Sequence, residues 1–232
     1  MSQLSRPPHR LKREKSLAMP RHLLFYDTET TSIELPNGSA EQVLKLGWAV
    51  YYRKPYGRHL AVEDWHSFTT EDSFWQFVFS HVERKQKLWL IARNINFDFT
   101  VLKSWKHLRP AGYKLKFFYN HELTTVISVR SKTGSILFCD SLNWFNESIK
   151  QTGERIGLPK FDIDFDTCSD TELSRYCHRD VEIDFENFKQ FIVFLEKYQI
   201  SRLRYTIGST AMSAYLFQSL DDKYTYTITK RP

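Results

Sequence analysis

The chain has 232 residues, of which 41% are hydrophobic and 16% aromatic, with 33 Lys and Arg against 27 Asp and Glu. So much bulky apolar side chain excludes a chain that is disordered throughout, and it predicts one sizeable domain with at most a small appendage. No stretch approaches the roughly 18 consecutive apolar residues of a membrane span, and no signal-peptide pattern opens the chain, so we expect no membrane partner.

The three cysteines, Cys139, Cys168 and Cys177, have no Cys-x-x-Cys spacing. An odd and sparse set argues against a disulfide scaffold or a zinc ribbon and indicates a reducing compartment. We therefore expect a cytoplasmic, intracellular protein.

The positive charge is concentrated at the N-terminus, where residues 1–22 contain six basic residues and one acid. We interpret residues 1–21 as a basic flexible tail. Such a tail is typical of a solvated terminus and also of a segment that binds nucleic acid or another acidic surface. Its Arg-rich composition also fits an organelle presequence, although Pro7 and Pro8 disfavour the amphipathic helix that such a presequence forms.

Hydrophobic periodicity predicts the elements in chain order. Strands are expected at 23–27, 43–52, 59–68, 88–92, 114–119, 124–130 and 135–139. Helices are expected at 73–84, 97–107, 141–156, 170–198 and 209–220. Strands and helices interleaved in this way predict an α/β fold with a mixed sheet flanked by helices. The last helix follows a polar break at 201–205, so residues 201–232 are predicted to be a separate helical appendage.

Three short motifs place carboxylates at strand ends and on a helix. Asp27 and Glu29 end the first strand, and residues two apart on a strand point to the same face. Asp98 follows Asn94 in the first turn of a helix, where the helix dipole favours a carboxylate and Asn94 or Asn96 would serve as the cap. Tyr176 and Asp180 are four apart on a helix and share a face.

Each of these motifs is common by itself, in solvated strand ends, helix caps and surface helices. Their combination at the ends of elements predicts one site. Carboxylates that converge repel each other at a cost on the order of 1–4 kcal/mol per pair at 4 Å, and divalent cations remove this cost. Oxygen ligands suit Mg²⁺ or Mn²⁺ better than zinc, and two such ions can hold the attacking and leaving oxygens of a phosphoryl displacement.

The three motifs resemble those of the DEDDy 3′–5′ exonucleases, a DnaQ-like group. Within it the chain is similar to the proofreading domain of family B DNA polymerases of the protein-primed phage and plasmid type. Ser141-Leu142-Asn143-Trp144-Phe145 resembles that group's single-strand-binding motif, and Lys160-Phe161-Asp162-Ile163 resembles its Lys-x-x-hydrophobic motif. The resemblance covers roughly residues 22–198.

This resemblance implies a ribonuclease H-like exonuclease domain at residues 22–200 that binds two divalent cations, Mg²⁺ or Mn²⁺. The implied metal ligands are Asp27, Glu29, Asp98 and Asp180. Tyr176 would orient the attacking water and Lys160 would assist catalysis. The positions implied to hold the terminal nucleotides are Thr30, Asn94, Phe97, Ser141 and Leu142. The implied activity is hydrolysis of single-stranded DNA from its 3′ end to nucleoside monophosphates.

The chain lacks the Asp-Thr-Asp and Ser-Leu-Tyr-Pro stretches of the polymerase portion of that family. We therefore expect no DNA synthesis. The segment at 206–217 is similar to the point where the polymerase portion begins, so the chain is either a fragment of a polymerase or a free-standing nuclease. Two alternatives stay open: an exoribonuclease of the same DEDDy type, and a catalytically silent module that binds nucleic acid or a polymerase, replication or repair partner.

Overall fold

A computed structural model describes residues 9–221, 223–224 and 226–228. Its strands are β1 (His9–Leu11), β2 (His22–Glu34), β3 (Ala40–Arg53), β4 (Val62–Phe68), β5 (Lys87–Ala92), β6 (Lys114–His121), β7 (Thr124–Arg130), β8 (Ser135–Asp140) and β9 (Tyr226–Ile228). Its helices are α1 (Glu71–Ser80), α2 (Ile95–Val101), α3 (Ser104–Leu108), α4 (Ile149–Ile156), α5 (Asp170–Lys197) and α6 (Ile207–Gln218), with a 3₁₀ turn at Ser141–Asn143.

The chain divides into two compact units, and the larger one, Pro20–Gln190, contains a seven-stranded sheet. The strand order is β4-β3-β2-β5-β8-β7-β6. The neighbours β2, β5 and β8 are parallel, and the outer strands pair antiparallel. A mixed sheet flanked by helices confirms the predicted α/β, ribonuclease H-like fold class.

Successive residues of β2 show how this sheet is covered. Phe25 contacts Phe185 and Phe188 of α5, with ring centroids 5.6 and 5.4 Å apart. The next residue, Tyr26, contacts Phe74 of α1 at 4.9 Å. Because neighbouring side chains on a strand point to opposite faces, the sheet lies between α5 and α1. Burying each of these rings contributes about 1.5–3 kcal/mol, so the alternation fixes which residues face each helix.

The pairing of β2 opens a cleft at the carboxyl end of the parallel strands. Strand β2 pairs with β5 only over His22–Phe25, and beyond that it continues as a long hairpin with β3 alone. A β-bulge interrupts this hairpin between Glu29 and Thr30. Bulges re-aim side chains and are common beside active sites. The segment Asp27–Thr30 therefore lies where β2 has lost one neighbour.

Two predicted helices differ from the structure. The helix expected at 97–107 is divided into α2 and α3, because Lys103 adopts a left-handed conformation with φ of 44°. The helix expected at 141–156 starts only at Ile149, where Ser148 and Gln151 form a reciprocal capping box. Residues 141–143 form a 3₁₀ turn instead. Apolar spacing continues across both interruptions, so periodicity alone did not locate them.

The second unit comprises the described residues of Met1–Met19 and Phe191–Pro232. In it, β1 pairs antiparallel with β9. Glu14 accepts hydrogen bonds or ion-pair contacts from Arg202 and Arg204, each at 2.8 Å. Residues 9–11 of the predicted tail thus form a strand, which is too short to show periodicity, while residues 1–8 lie outside the described residues. The division of the chain at residues 21 and 200 stays a prediction.

In the part of the chain that the structure describes, no helix combines the length and the apolar character needed to cross a bilayer.

Candidate active site

The four predicted acids come from three elements at the cleft. Asp27 and Glu29 occupy alternate positions on β2, Asp98 lies in α2, and Asp180 lies in α5. Burial raises the pKa of Asp27 well above its usual range, and repulsion from the other three acids raises it further. The structure therefore brings Glu29, Asp98 and Asp180 within electrostatic reach of Asp27.

The backbone of Asp27 is held by a close approach of strand β3. Gly47 lies opposite Thr28, and a Cβ atom there would come within 2.7 Å of the Asp27 carbonyl oxygen and 2.3 Å of the Phe68 ring. Only glycine fits this contact without a shift of backbone or core. The first motif is thus positioned by a residue outside it.

Asp98 is held by the middle residue of the first motif. Thr28 points to the opposite face from Asp27, and its hydroxyl donates a 2.6 Å hydrogen bond to Oδ1 of Asp98. Asp98 is only 2% exposed, and this burial raises its pKa to about 7 although the bond from Thr28 lowers it. Thr28 is not among the residues that the motifs predicted for the site, and its only signal in the sequence was its place between two acids.

Lys160 sits among the acids as a counter-charge. Its Nζ lies 2.5 Å from Oδ2 of Asp180. Burial raises the pKa of Asp180, and Lys160 opposes that rise. Burial and repulsion from Asp180 raise the pKa of Glu29 to about 7, again against the effect of Lys160.

The arrangement fits divalent cations. Oδ1 of Asp180 is buried and has no hydrogen-bond partner within the described residues. A buried anionic oxygen without a partner is costly and is a natural ligand for a cation. Ligand atoms of Asp27, Glu29 and Cys177 also lie within 4.8 Å of one another. A site built mainly of carboxylates favours Mg²⁺ or Mn²⁺.

Cys177 is a neighbour that sequence analysis did not place at the site. Its Sγ lies 3.5 Å from the carbonyl oxygen of Asp27 and 3.9 Å from Oδ2 of the same residue. Burial, with Asp27 and Glu29 nearby, raises the pKa of this thiol well above its usual range. Cys177 is therefore a protonated weak donor at neutral pH and not a thiolate. Its signal in the sequence was its position three residues before Asp180.

Tyr176 packs between Lys160 and Phe165. Nζ of Lys160 lies 4.3 Å from the centroid of the Tyr176 ring, and the Phe165 ring contacts it edge-on at 5.3 Å. Burial and the charge of Asp180 raise the pKa of the Tyr176 hydroxyl, although Lys160 lowers it. The hydroxyl therefore keeps its proton at neutral pH.

The nearby His178 has different surroundings. Its ring stacks on Trp65 at 4.4 Å and meets Trp48 edge-on at 4.7 Å. Burial lowers its pKa, and Glu182 and Arg179 are its strongest electrostatic neighbours. On α5, Tyr176 therefore lies beside Asp180 and Glu29, whereas His178 lies beside the two tryptophans.

Asp140 joins two of the motifs. Its carboxylate accepts hydrogen bonds from the backbone N–H groups of Asn94, Ile95 and Leu142, at 3.3, 3.0 and 2.9 Å. Asn94 makes no side-chain cap bond, so Asp140 caps α2 from the end of β8. Of the two residues that the sequence offered as the cap, Asn94 and Asn96, Asn94 occupies the N-cap position, but its side chain makes no cap hydrogen bond. The reason is its left-handed conformation, with φ of 58°.

The residues expected to hold nucleotides have varied surroundings. Thr30 donates a 2.8 Å hydrogen bond to Gln42 on β3. Asn94 is exposed and Phe97 is 38% exposed, so both are accessible to a ligand. Ser141 is fully buried, and its hydroxyl lacks a hydrogen-bond partner within the described residues. Leu142 is half-buried. The structure leaves Asn94 and Phe97 open and encloses Ser141.

A buried ion pair lies next to the acids and was also missed. Nη2 of Arg93 lies 2.6 Å from Oδ1 of Asp184, and Nη1 donates to the carbonyl of Glu147. Arg93 and Asp184 line a cavity of about 130 Å³ together with Asp27 and Asp180. Asp184 continues the four-residue spacing of Tyr176 and Asp180, which was its signal in the sequence.

No family model matches the chain, and no curated protein matches it. Among solved structures, the chain is similar to phi29 DNA polymerase in complex with primer-template DNA and incoming nucleotide. The TM-score is 0.57 and the sequence identity is 17%, and the match covers 85% of this chain and 34% of the polymerase chain. The chain shares the fold of part of this polymerase. The same polymerase bound to primer-template DNA alone and to single-stranded DNA gives TM-scores of 0.56 and 0.55, each at 16% identity over 83% of this chain. The chain spans about a third of the length of these polymerase chains.

Proposed function

We propose that the protein is a metal-dependent 3′–5′ exonuclease that hydrolyses single-stranded DNA from its 3′ end to nucleoside monophosphates, as a proofreading nuclease does, without DNA synthesis. The observation that carries this proposal is the cluster of Asp27, Glu29, Asp98 and Asp180 at one sheet edge, with a buried oxygen of Asp180 lacking a partner within the described residues.

In this proposal the four carboxylates hold two divalent cations. Bound cations would neutralise the acids, activate water and stabilise the leaving oxygen. Tyr176 keeps its hydroxyl proton and orients the attacking water. Lys160 offsets negative charge on the scissile phosphate, a contribution typical of preorganised cations in phosphoryl transfer.

The substrate is inferred from the exposed side chains and from the solved structures. The similar phi29 polymerase complexes contain primer-template and single-stranded DNA. Exposed Phe97 offers a stacking face, which contributes roughly 1–3 kcal/mol per base without regard to sequence. Stacking needs an unpaired base, and melting costs roughly 1.4 kcal/mol per base-pair step. We therefore expect single strands and mismatched 3′ ends to be cleaved faster than matched duplex.

Two alternatives differ in substrate or in activity. An exoribonuclease would use the same acids, because discrimination against RNA depends on local contacts to the 2′-hydroxyl. A silent binding module would not need Tyr176 and Lys160 beside the acids, so their contact with each other favours an enzyme.

The test uses 5′-labelled single-stranded DNA, matched duplex, mismatched duplex and RNA of the same sequence, with Mg²⁺, Mn²⁺ or EDTA. The expected result is stepwise shortening of DNA from the 3′ end that EDTA stops. The variant Asp27→Asn should be inactive, whereas Asp64→Asn, at an exposed position on β4, should retain activity. Faster digestion of RNA would favour the exoribonuclease, and DNA binding without cleavage in either metal would favour the silent module.

A further inference from the structure

A basic groove of about 630 Å³ lies at the end of the sheet where β5 and β8 begin. Six cationic side chains line it: Arg84, Lys85, Lys87, Lys116, Arg130 and Lys132. In the described part of the chain, none of its lining residues is acidic or aromatic. We call this surface the basic groove.

The groove is shaped by two turns that pack tightly together. Gly134, in the β7–β8 turn, lies so close to the turn before β5 that an added Cβ atom would be 2.5 Å from Val82 and 3.0 Å from the Glu83 carbonyl oxygen. Ser135 adds hydrogen bonds to the carbonyl of Gln86. Three of the cations, Arg84, Lys85 and Lys132, therefore lie on two turns that pack against each other.

The edge strand β6 adds a further cation through a local irregularity. The register with β7 shifts between Leu115 and Phe117, so Lys116 is the additional residue of a β-bulge. A bulge re-aims its side chain relative to the regular strand, and Lys116 lines the groove.

We propose that the basic groove binds the phosphate backbone of duplex nucleic acid, as a site separate from the acidic cleft. Sites for single strands combine cations with aromatic side chains on which bases stack. A duplex has its bases already stacked inside and presents phosphates, which cations and hydroxyl groups bind without reading sequence. The cations and the serine and threonine hydroxyls of this groove match the outside of a duplex.

The position of the groove adds a geometric expectation. Strand β5 runs from Lys87 at the groove to Ala92, directly before the Asn94–Asp98 motif. Six residues of strand span roughly 20 Å. The groove and the carboxylates therefore lie at opposite ends of β5, which makes the groove a site separate from the acidic cleft.

The test measures binding in EDTA, where no hydrolysis occurs, so it does not depend on the proposed nuclease activity. The full chain is titrated into fluorescein-labelled duplex DNA and into single-stranded DNA of the same sequence, over a series of salt concentrations. The double variant Arg84→Gln/Arg130→Gln is compared with Arg58→Gln/Arg109→Gln, which removes two exposed arginines elsewhere in the larger unit.

We expect the groove variant to weaken duplex binding about tenfold and to reduce the slope of log K against log salt by roughly 1.8, since each lost phosphate contact contributes about 0.9. The control variant should change both by much less. Equal effects of the two variants on duplex would overturn the proposal. So would a loss confined to single strands, or competition by millimolar inorganic phosphate at constant ionic strength, which would indicate a small-anion site.

Discussion

Nζ of Lys160 lies 2.5 Å from one oxygen of Asp180, while the other oxygen of the same carboxylate is buried without a partner in the described part of the chain. The ammonium group thus compensates part of an acidic cluster that would otherwise lack a counter-charge. The same lysine lowers the pKa of Asp27, Glu29 and Asp180. Charge balance at the site therefore depends on one side chain from outside the acid motifs.

Replacing this lysine should separate metal binding from catalysis. In Lys160→Met we expect the affinity for Mn²⁺ at pH 8 to rise about 30-fold, because a unit positive charge about 4 Å from a divalent cation costs about 2 kcal/mol in water-like surroundings. Hydrolysis should slow by roughly 100-fold or more, because charge stabilisation at the phosphate is lost. Calorimetric titration and single-turnover kinetics measure the two effects. Lys150→Met, on an exposed face of α4, is the control, and a parallel loss of Mn²⁺ affinity and rate in Lys160→Met would contradict the expectation.

The hydroxyl of Tyr176 should matter for turnover and not for metal binding. In Tyr176→Phe we expect kcat to fall by roughly 10²-fold, as for loss of a group that positions a proton or water, with unchanged Mn²⁺ affinity. The ring would still pack on Phe165 and Lys160. Tyr119→Phe, at an exposed position of β6, is the matched control. Wild-type kcat in Tyr176→Phe would remove this residue from the mechanism.

Two glutamates on one strand offer a matched pair. Glu29 lies among the acids, whereas Glu34 is exposed at the far end of β2. Glu29→Gln should lower hydrolysis by at least about 10³-fold and weaken Mg²⁺ binding, since a charged metal ligand is lost. Glu34→Gln should leave both unchanged. Similar activities for the two variants would mean that Glu29 is not a ligand.

The raised pKa of Glu29 predicts a pH-dependent stability difference. Its pKa is about 7 in the folded metal-free protein, against a usual 4.5. Between these values the folded state binds more protons at this group than the unfolded chain, so its contribution to the free energy of unfolding falls as pH rises.

Glu29→Gln should therefore match the wild type in stability near pH 5 and become increasingly more stable toward pH 8, in EDTA. Saturating Mg²⁺ should abolish this advantage, because the cation stabilises the ionised carboxylate. Urea denaturation at a series of pH values measures it. A difference between the two proteins that stays constant across this range would show that Glu29 is not perturbed.

The buried pair of Arg93 and Asp184 should be costly to break on one side. Their side chains are only 16% and 9% exposed. Arg93→Gln should lower the free energy of unfolding by about 3–5 kcal/mol, because it leaves a buried carboxylate uncompensated. The double variant Arg93→Met/Asp184→Leu should recover most of this loss.

An exposed ion pair provides the comparison. Lys45 lies 2.9 Å from Asp170, with side chains 37% and 83% exposed. Lys45→Gln should cost less than about 1 kcal/mol, since solvent screens such pairs. Equal losses of unfolding free energy in Lys45→Gln and Arg93→Gln would show that the buried ion pair contributes no more to stability than the exposed one.

The sequence alone specified the fold class and the order of the chemistry along the chain. Short apolar runs located β2, β5 and β8, because these central strands are buried on both faces, and the 3.6-residue period located α5, because burial of one helix face imposes that period. The spacing of Asp27 with Glu29, and of Tyr176 with Asp180, placed each pair on one face for the same local reason. Roles for these residues remain predictions that rest on the resemblance.

Only the tertiary structure decided which groups support those residues. Four supporting contacts join elements that are distant in sequence. They are the bond from Thr28 to Asp98, the close approach of Gly47 to Asp27, the capping of α2 by Asp140, and the ion pair of Arg93 with Asp184. The same holds for the basic groove, whose cations come from three strands, β5, β6 and β7, and from two turns about 50 residues apart. Local spacing carries the information about one helix or strand face, whereas contacts between elements depend on how the strands are ordered in the sheet. That order is set by packing of the whole domain, and no short segment of the sequence contains it.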